Sequence, residues 1–483
     1  MNFDRPSRRE LFQLAAGTVA ALGVPSMSLA NRALHQGVDP RLHWWLDAGF
    51  GLFLHWGPYS VAGVEASWPI MVPAMASKVP QPAITEEEYT SLADRFDPAD
   101  YDPVDWVRRA RRAGMRYIVL TAKHHDGYCL FDAPGTTYKS TAGPSGRDLC
   151  AELAAACERE GMPLGFYYSP PDMHHPGYRD VSRPATENWT GEPERAVWAD
   201  YLDYMEAHLR KLLTDYGRVA IVWFDGLFDH GRYQPERFHR LVRELGPDTI
   251  TNDRLGPGDY STPEQSVLKG VPVRRDPGPG LDEPTFLRVI DLLASDLPQE
   301  QIEALFAAGF DAIYPTAPDP PPEKFQPWET CMTMNRAWGH VPTDTSWKAP
   351  ESLVRTLIEA RSRGGNLLLN VGPTGTGRFP AEAEERLEAI GRWIDRHEEA
   401  IRAVTWGPVQ GVPQVRSTRS VTATYLALFD RGAETLELEG LAPTTRIERM
   451  ADGVEIAADH RGGRLALRLP APLDPWVDVL RVR

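Results

Sequence analysis

The stretch Val219-Ala-Ile-Val-Trp-Phe224, followed directly by Asp225-Gly226, decides the fold of this chain. Six apolar residues in a row, with β-branched and aromatic side chains among them, are typical of a strand that is buried on both faces. Helical patterns lie on either side of this strand, at 196–216 and at Pro235–Leu245. A buried strand between two amphipathic helices predicts one unit of a parallel β/α sheet.

The alternation of strand and helix continues in both directions along the chain. The pattern predicts further strands at 51–55, 116–122, 164–169, 249–252 and Asn366–Val371, and further helices at 103–113, 148–160 and 351–363. Serial βα units over a span of this length predict a (β/α)8-type barrel. A doubly wound open sheet is the structural alternative, but no Gly-x-Gly-x-x-Gly motif follows the first strand to favour it.

The pattern changes after about residue 403. Short alternating apolar runs, such as 421–428, are separated by polar turns, and helical periodicity ends. This change predicts a small antiparallel β-sandwich over 403–483, after a barrel domain over 38–402. Within the barrel domain, Pro, Gly and Asp are enriched in residues 255–326, around a predicted helix at 299–308. Such a stretch indicates a long insertion of the kind that often shapes a substrate site.

The first thirty residues have the order of an export signal. Arg8 and Arg9 precede an apolar run at 14–24, and Ser28-Leu-Ala30 offers small residues before a cleavage point. Basic, apolar and small segments in this order predict a signal peptide over 1–30, and the paired arginines resemble a twin-arginine signal. We therefore expect export to a bacterial periplasm. A frayed N-terminal helix is the alternative.

Composition argues against several classes of partner. The formal net charge of −15 disfavours nucleic acid, because such a chain repels phosphates. After the leader, no stretch of sequence approaches 18 apolar residues, so no membrane association is expected once the signal is removed. The four cysteines have no CxxC spacing, and Cys150 and Cys157 fit a helix core better than a disulfide framework. The sequence does not indicate an oligomeric state.

Polar, aromatic and charged groups follow five successive predicted strands, where a barrel places its reacting groups. They are His55-Trp-Gly57, Lys123-His-His-Asp-Gly127, Tyr167-Tyr-Ser169, Trp223-Phe-Asp-Gly226 and Asn252-Asp-Arg254. The histidines admit a metal site as one interpretation. Against it, His124 and His125 are adjacent and point apart on an extended segment, and the sequence has no HExxH motif. We expect neither a metal nor a cofactor.

A pocket for a sugar is the other interpretation of these groups. Hydrolysis of a glycosidic bond requires two carboxyl groups, which are about 5–5.5 Å apart in retaining enzymes. Asp225 suits the nucleophile, because the strand before it would hold it rigidly at the rim and Gly226 leaves room for close approach. The alternative is that Asp225 only caps the loop that follows.

These residues carry a resemblance to a known family. The chain resembles the α-L-fucosidases of glycoside hydrolase family 29, in segments that follow that family's order and span nearly the whole chain after the leader. The similar segments are Phe166-Tyr-Tyr-Ser169, Val222-Trp-Phe-Asp-Gly226, Asn252-Asp-Arg254, Gly258-Asp-Tyr-Ser-Thr-Pro-Glu-Gln265, Trp328-Glu-Thr-Cys331, and the longer stretches 45–58, 117–127 and 364–373. The resemblance implies a barrel of that family's kind, a C-terminal β-sandwich and retention of configuration.

The resemblance also implies roles for single residues. Asp225 matches the family's nucleophile, and Glu264 in Thr-Pro-Glu-Gln matches the position usually assigned as acid/base, with Glu329 as its rival. Many relatives have a Glu directly before the residue that matches Trp68; here Glu65 stands three residues before it, a spacing that one subgroup shows. The positions that match sugar-binding residues are His55, Glu65, Trp68, His124, His125, Tyr168, Trp223, Arg254 and Trp328.

The expected activity is that of a retaining α-L-fucosidase, which hydrolyses terminal α-L-fucose from fucosylated oligosaccharides or glycoconjugates. Residues 269–326 are longer than the family pattern, which leaves the leaving-group preference open. The alternatives are a non-catalytic carbohydrate-binding protein, a metal-dependent hydrolase and a retaining enzyme for the related sugar galactose. For the sandwich we expect a packing role, with carbohydrate binding as the alternative.

Overall fold

The computed structural model describes residues 34–77, 79–191, 197–226, 230–262, 325–409, 412–429, 434–441, 446–461, 463–471 and 474–483. The predicted signal peptide at 1–30, the candidate acid Glu264 and the predicted helix at 299–308 lie outside these residues. Among the helices in the described ranges, none has the length and apolar character that crossing a membrane requires.

Parallel strands form the centre of the first domain. In the described ranges they are β1 Phe50–Leu54, β2 Ile118–Lys123, β3 Leu164–Tyr168, β4 Val219–Phe224, β5 Ile250–Thr251, β6 Glu329–Thr333 and β7 Asn366–Val371. Their order in the sheet is β5-β4-β3-β2-β1-β7-β6. Strands follow one another around the sheet until the last ones meet the first, whereas a doubly wound sheet reverses its order at a switch point. The barrel prediction is confirmed.

Short backbone bridges close the ring between β5 and β6. Asn252 pairs with Tyr260, and Ser261 pairs with Trp328. The backbone N–H of Glu329 also donates to the carbonyl oxygen of Ser261 at 2.9 Å. Residues 260–261 therefore take the place of an eighth strand, directly before residues 263–324.

Helices connect the strands. In chain order the described ones are α1 His43–Ala48, α2 Tyr59–Ala62, α3 Trp68–Met71, α4 Pro73–Ala76, α5 Glu86–Ser91, α6 Pro103–Arg112, α7 Leu149–Glu160, α8 Ala185–Asn188, α9 Trp198–Thr214, α10 Pro235–Leu245, α11 Pro350–Ser362 and α12 Ala381–His397. Their ends follow local chemistry. Asp102 caps α6 by accepting from the N–H groups of Val104 and Asp105 at 3.0 and 3.1 Å. Gly161 ends α7 at a φ of +62°, a conformation that favours glycine.

Strand side chains alternate between two apolar layers. Leu52 and Leu54 belong to the layer between sheet and helices, whereas Phe53, Tyr167 and Trp223 belong to the layer inside the barrel. This alternation follows from the two-residue period of a strand. Because Asp225 follows Trp223 by two positions, the same period directs it inward at the C-terminal end of β4.

A buried carboxyl group seals the barrel interior below its mouth. Glu329 accepts hydrogen bonds from Nε1 of Trp45 at 3.3 Å, from Nε1 of Trp223 at 3.1 Å and from the hydroxyl of Tyr117. The four side chains are at most 1% exposed. Burial raises the pKa of Glu329 to about 7. We refer to Trp45, Tyr117, Trp223 and Glu329 as the barrel floor.

The C-terminal residues form two antiparallel sheets around their own apolar core. The described strands are β8 Thr405–Trp406, β9 Val415–Arg419, β10 Thr424–Leu428, β11 Thr435–Leu438, β12 Ile447–Arg449, β13 Ala457–Arg461, β14 Arg464–Arg468 and β15 Asp478–Val482. One sheet has the order β12-β15-β10-β9-β8 and the other β11-β14-β13. Leu426, Leu438, Leu465 and Leu480 pack between them. The predicted β-sandwich is confirmed.

Candidate active site

Asp225 lies at the mouth of the barrel beside side chains from three other strand ends. The hydroxyl of Tyr167 donates to Oδ2 at 2.8 Å, and Nη1 of Arg254 donates to Oδ1 at 3.1 Å. Nε2 of His125 lies 3.6 Å from Oδ2. The carboxylate is therefore held on both oxygens. Its side chain is 13% exposed and still reaches solvent.

Arg254 connects this carboxylate to the barrel wall. Its guanidinium lies 5.1 Å from the centre of the Trp223 ring, and its Nη2 donates to the carbonyl oxygen of Thr262 at 3.4 Å. The planar fork of an arginine suits this combination of stacking and two separate hydrogen bonds. Arg254 therefore links Asp225 to the residue from which the chain enters 263–324.

Three histidines converge beside Asp225, and each is held through its Nδ1 atom. The pairs are His55 with Oδ1 of Asn370 at 2.7 Å, His124 with Oγ of Ser67 at 2.6 Å, and His125 with Oγ of Ser169 at 2.6 Å. Burial lowers the pKa of His55 and His125 to about 3 and holds the pKa of His124 well below its usual range. The three imidazoles are therefore neutral at neutral pH.

Glu65 supports the loop after β6. Its carboxyl oxygens accept from the backbone N–H groups of Trp338 at 2.9 Å and Gly339 at 3.1 Å, and burial raises its pKa to about 8. The half-buried ring of Trp338 lies 4.9 Å from the ring of His55. Glu65 thus acts on the mouth through Trp338, a residue that the sequence pattern does not single out although it follows the end of β6.

Aromatic rings lie on two sides of the histidines. Trp68 begins α3, is half-buried, and stands edge-on to His125 with 5.8 Å between ring centres. Trp338 lies on the other side, against His55. Between Glu65 and Ser67, Ala66 adopts a φ of +39°, which is unfavourable for a residue with a side chain. This strained turn lets Glu65 reach Trp338 while Ser67 reaches His124.

The prediction for Tyr168 is wrong. Its hydroxyl lies 3.1 Å from Nδ1 of His208, its side chain is fully buried, and it belongs to the layer between sheet and helices. Tyr167 instead faces Asp225. In the sheet, Tyr167 pairs with Trp223 and Tyr168 pairs with Phe224, so the strand alternation that directs Asp225 inward also selects Tyr167.

The structure also corrects the predictions for Trp328 and for Glu329 as the rival acid. Trp328 precedes β6, is 3% exposed, and directs its Nε1 to the carbonyl oxygen of Arg363 at 3.4 Å. Glu329 belongs to the barrel floor and is fully buried. Both residues lie at the N-terminal end of β6, whereas the mouth is formed where strands end. Trp223 lies below the site and contacts two of its residues. The guanidinium of Arg254 lies over the Trp223 ring, and the ring of Tyr167 stacks on it.

Within the described ranges, no group of three or more His, Cys, Asp or Glu side chains is arranged to hold a metal ion. A concavity of about 940 Å³ lies against α5, with Tyr128, Tyr138 and His174 in its wall, and it includes none of the residues at the barrel mouth.

The chain is similar to known proteins over most of its length. The family model described as Alpha-L-fucosidase matches residues 29–274 and 301–399. An α-L-fucosidase of Branchiostoma floridae is 27% identical over 442 residues, which cover 84% of each chain. A plasma α-L-fucosidase of Rattus norvegicus is 28% identical over 384 residues, which cover 75% of this chain and 71% of the relative.

Solved structures agree with the sequence relatives. α-L-Fucosidase isoenzyme 1 from Paenibacillus thiaminolyticus is 29% identical, with a TM-score of 0.73 over 92% of this chain and 98% of that one. An α-L-fucosidase from Bacteroides thetaiotaomicron, 23% identical, shares the fold with a TM-score of 0.70 over 96% and 98% of the two chains. The chain therefore belongs to the α-L-fucosidase family, glycoside hydrolase family 29.

Proposed function

We propose that this chain is a retaining α-L-fucosidase that removes terminal α-L-fucose from fucosylated glycans, with Asp225 as its nucleophile. The observation that carries the proposal is the Asp225 carboxylate, which is fixed by Tyr167 and Arg254 at the barrel mouth and remains open to solvent. Three neutral histidines and two half-buried tryptophans around it supply hydrogen bonds for hydroxyls and flat apolar faces for a sugar ring.

In the first step, an Asp225 oxygen bonds to the anomeric carbon while the glycosidic C–O bond breaks, and an acid gives its proton to the departing oxygen. In the second step, water attacks the anomeric carbon, the same acid residue takes its proton, and Asp225 leaves. Two inversions at one carbon return the original configuration. Tyr167 and Arg254 stabilise the carboxylate when it is released.

Glu264 is our proposed acid/base. It lies outside the described residues, and in the sequence only one residue separates it from Thr262. Thr262 accepts from Nη2 of Arg254, whose Nη1 binds Asp225. The chain therefore enters 263–324 beside the nucleophile, which supports a carboxyl group from Glu264 at this position. Glu329 is buried in the barrel floor and does not suit the role.

Azide rescue of two variants tests both assignments. We expect Asp225→Gly to lose turnover of an aryl α-L-fucoside by several orders of magnitude, and azide to restore part of it as the inverted β-fucosyl azide. Glu264→Gly keeps the nucleophile, so azide should give the retained α-fucosyl azide through two displacements. Wild-type rates in Asp225→Gly, or a retained product from it, would overturn the nucleophile assignment.

We propose that Trp338 and Trp68 favour the C5 methyl group of fucose over the hydroxymethyl group of L-galactose. Trp338 presents a half-buried ring against Phe53 and His55. An apolar pocket rejects an added hydroxyl by only about 1–3 kcal/mol, which corresponds to roughly 10- to 200-fold in kcat/KM. Aryl α-L-fucoside and α-L-galactoside, compared in wild type and Trp338→Ala, test this contribution; equal ratios in the two proteins would exclude it.

We also propose export through a twin-arginine signal in 1–30, supported by Arg8 and Arg9 before the apolar run. In a bacterial host, replacement of both arginines by lysine should leave the uncleaved precursor in the cytoplasm. The wild-type chain should appear in the periplasm without its leader. Normal export of the lysine variant would refute the twin-arginine route.

A further inference from the structure

The three histidines at the mouth each leave one ring nitrogen for a ligand. In the described part of the chain, no hydrogen bond reaches Nε2 of His55 or His124, and neither atom is sealed from solvent. Nε2 of His125 lies 3.6 Å from Oδ2 of Asp225, beyond hydrogen-bond length. What each Nε2 offers a ligand depends on which nitrogen carries the proton, and the neighbours of Nδ1 decide this.

Asn370 decides the tautomer of His55. Its Nδ2 donates to the carbonyl oxygen of Trp338 at 2.7 Å, and because a carbonyl only accepts, the amide nitrogen must lie on that side. Oδ1 of Asn370 therefore faces Nδ1 of His55, at 2.7 Å. An amide oxygen also only accepts, so Nδ1 of His55 carries the proton. The neutral ring then presents an unprotonated Nε2.

Ser169 decides the tautomer of His125 in the same way. Its hydroxyl donates to the carbonyl oxygen of Pro171 at 2.7 Å, which uses the only hydrogen that it has. The same Oγ lies 2.6 Å from Nδ1 of His125, so the ring must donate this second bond. Nε2 of His125 is then an acceptor that faces Oδ2 of Asp225, another acceptor. A ligand hydroxyl that donates to Nε2 removes the repulsion between these two acceptors.

Ser67 gives His124 the opposite tautomer. Its Oγ accepts from the backbone N–H of Asp126 at 2.9 Å and lies 2.6 Å from Nδ1 of His124. Ser67 is fully buried, so a proton on Nδ1 would leave the hydroxyl hydrogen without an acceptor among the described residues. The arrangement that satisfies both groups has Ser67 donating to Nδ1. His124 then carries its proton on Nε2 and is a donor.

We propose that Asn370, Ser67 and Ser169 are positioning residues that fix the tautomers of the three histidines. Nε2 then accepts in His55, donates in His124 and accepts in His125, which gives an acceptor–donor–acceptor row. The site therefore selects a sugar with neighbouring hydroxyls, of which two donate and one accepts. The row follows the spatial order of the rings, whose centres are 5.5 Å apart for His55 and His124 and 4.3 Å apart for His124 and His125. This inference rests on the proposed function for the identity of the sugar, and on the contacts alone for the tautomers.

Nitrogen NMR of protein labelled with 15N-histidine tests the tautomers directly. Protonated and unprotonated ring nitrogens of a neutral imidazole differ strongly in chemical shift, and loss of one spin system in each of His55→Gln, His124→Gln and His125→Gln assigns the signals. We expect Nδ1–H in His55 and His125 and Nε2–H in His124. An Nε2–H tautomer in His55 or His125 would overturn the proposal, whether or not the protein hydrolyses fucosides.

Binding of fucose-configured iminosugars tests the consequence without turnover. Each ring hydroxyl is replaced in turn by hydrogen and by fluorine, which cannot donate. We expect two positions at which fluorine weakens binding as much as hydrogen does, about 10-fold, and a third at which fluorine weakens it less. If the fluorinated ligand bound more tightly than the deoxy ligand at every position, the result would contradict the acceptor–donor–acceptor row.

Ser169→Ala and Ser169→Thr form the matched pair. Without the hydroxyl, His125 can place its proton on Nε2, so in Ser169→Ala the fluorinated ligand should regain affinity relative to the deoxy ligand at one position. Ser169→Thr keeps the hydroxyl and should match wild type. Equal fluorine-to-hydrogen ratios in wild type and Ser169→Ala would show that Ser169 is only structural.

Discussion

Tyr167 and Tyr168 are adjacent in sequence and differ in what their hydroxyls reach. Tyr167 donates to Asp225 at the mouth, and Tyr168 contacts His208 behind the sheet. Their separation is a direct result of strand geometry, since successive side chains point to opposite faces. Because both tyrosines are fully buried, they allow a hydrogen bond to Asp225 to be compared with a hydrogen bond behind the sheet.

We expect Tyr167→Phe to lower kcat/KM by roughly 10- to 100-fold, because it removes a hydrogen bond to a charged carboxylate. Tyr168→Phe is the control. It should lower the free energy of unfolding by about 1 kcal/mol and leave kcat/KM within about twofold of wild type. Kinetics with an aryl fucoside and urea unfolding of both variants check this pair. A larger kinetic effect in Tyr168→Phe would reverse the two roles.

Sequence alone predicted most residues of the mouth, because a barrel directs attention to strand ends. The structure places His55, His124, His125, Asp225 and Arg254 together at the mouth, and their roles stay predictions. The family resemblance implies Tyr168, whereas the alternation of side chains along β3 brings Tyr167 to Asp225. Partners of the histidines, such as Asn370 and Ser169, could not be predicted, because each comes from a different strand than the ring it binds.

The point at which β6 begins decides where the side chain of Glu329 points. The sequence pattern predicts no strand around 329–333, and the family resemblance offers Glu329 as the rival acid. The structure begins β6 at Glu329 and directs this side chain into the barrel floor. By contrast, β4, β7 and α10 have the bounds that their patterns predicted, because each is a continuous apolar or amphipathic run between clear boundary residues.

Glu329→Gln should reduce stability rather than chemistry. The carboxyl group accepts from Trp45, Trp223 and Tyr117, whereas an amide has one accepting oxygen, so at least one buried donor loses its partner. We expect the free energy of unfolding to fall by about 1–3 kcal/mol. The kcat of the folded variant should stay within a few-fold of wild type for good and poor leaving groups alike. Glu264→Gln should instead lose activity chiefly on poor leaving groups.

Buried titratable groups set the pH response of the whole molecule. Burial lowers the pKa of His55, His125 and His208 to about 3, so below about pH 6.5 the unfolded chain binds protons that the folded one excludes. Stability is then lost as pH falls from 6.5 towards 3. Glu65 and Glu329 act in the opposite sense, because pKa values raised to about 8 and about 7 remove stability as pH rises through them.

We therefore expect the urea midpoint to be highest near pH 6–7 and to fall on both sides. His208→Gln is the test variant, because His208 lies behind the sheet, where its Nε2 contacts the carbonyl oxygen of Pro134 at 2.9 Å. Its loss should lower the acid-side slope by up to about 1.4 kcal/mol per pH unit. An acid-side slope identical to that of wild type would show that His208 is not among the groups that destabilise the fold in acid.

The sandwich contributes to this stability through its contact with the barrel. Nε1 of Trp393 in α12 donates to the carbonyl oxygen of Val477 at 3.1 Å, and Arg396 pairs with the buried Asp474 at 2.6 Å. Tyr425 and Val479 belong to the apolar layer around the barrel. We propose that 403–483 packs against a catalytic domain at 38–402 and is not a separate binding module.

A chain that ends at Arg402 should accordingly lose folded, active protein, since its truncation exposes Trp393 and the apolar faces of α11 and α12. Circular dichroism and activity of the soluble fraction measure this loss. Full activity and an unchanged melting temperature in the truncated chain would instead leave the sandwich free for another role, which glycan binding by 403–483 alone would identify.

The barrel floor limits where small molecules can enter and leave the site. Because Trp45, Tyr117, Trp223 and Glu329 admit no solvent from beneath, the departing alcohol and the water that replaces it must use the same opening. Any alcohol concentrated at that opening competes with water for the fucosyl group on Asp225, our proposed nucleophile. The enzyme should then build new fucosides as well as degrade them, in a proportion that rises with the concentration of the competing alcohol.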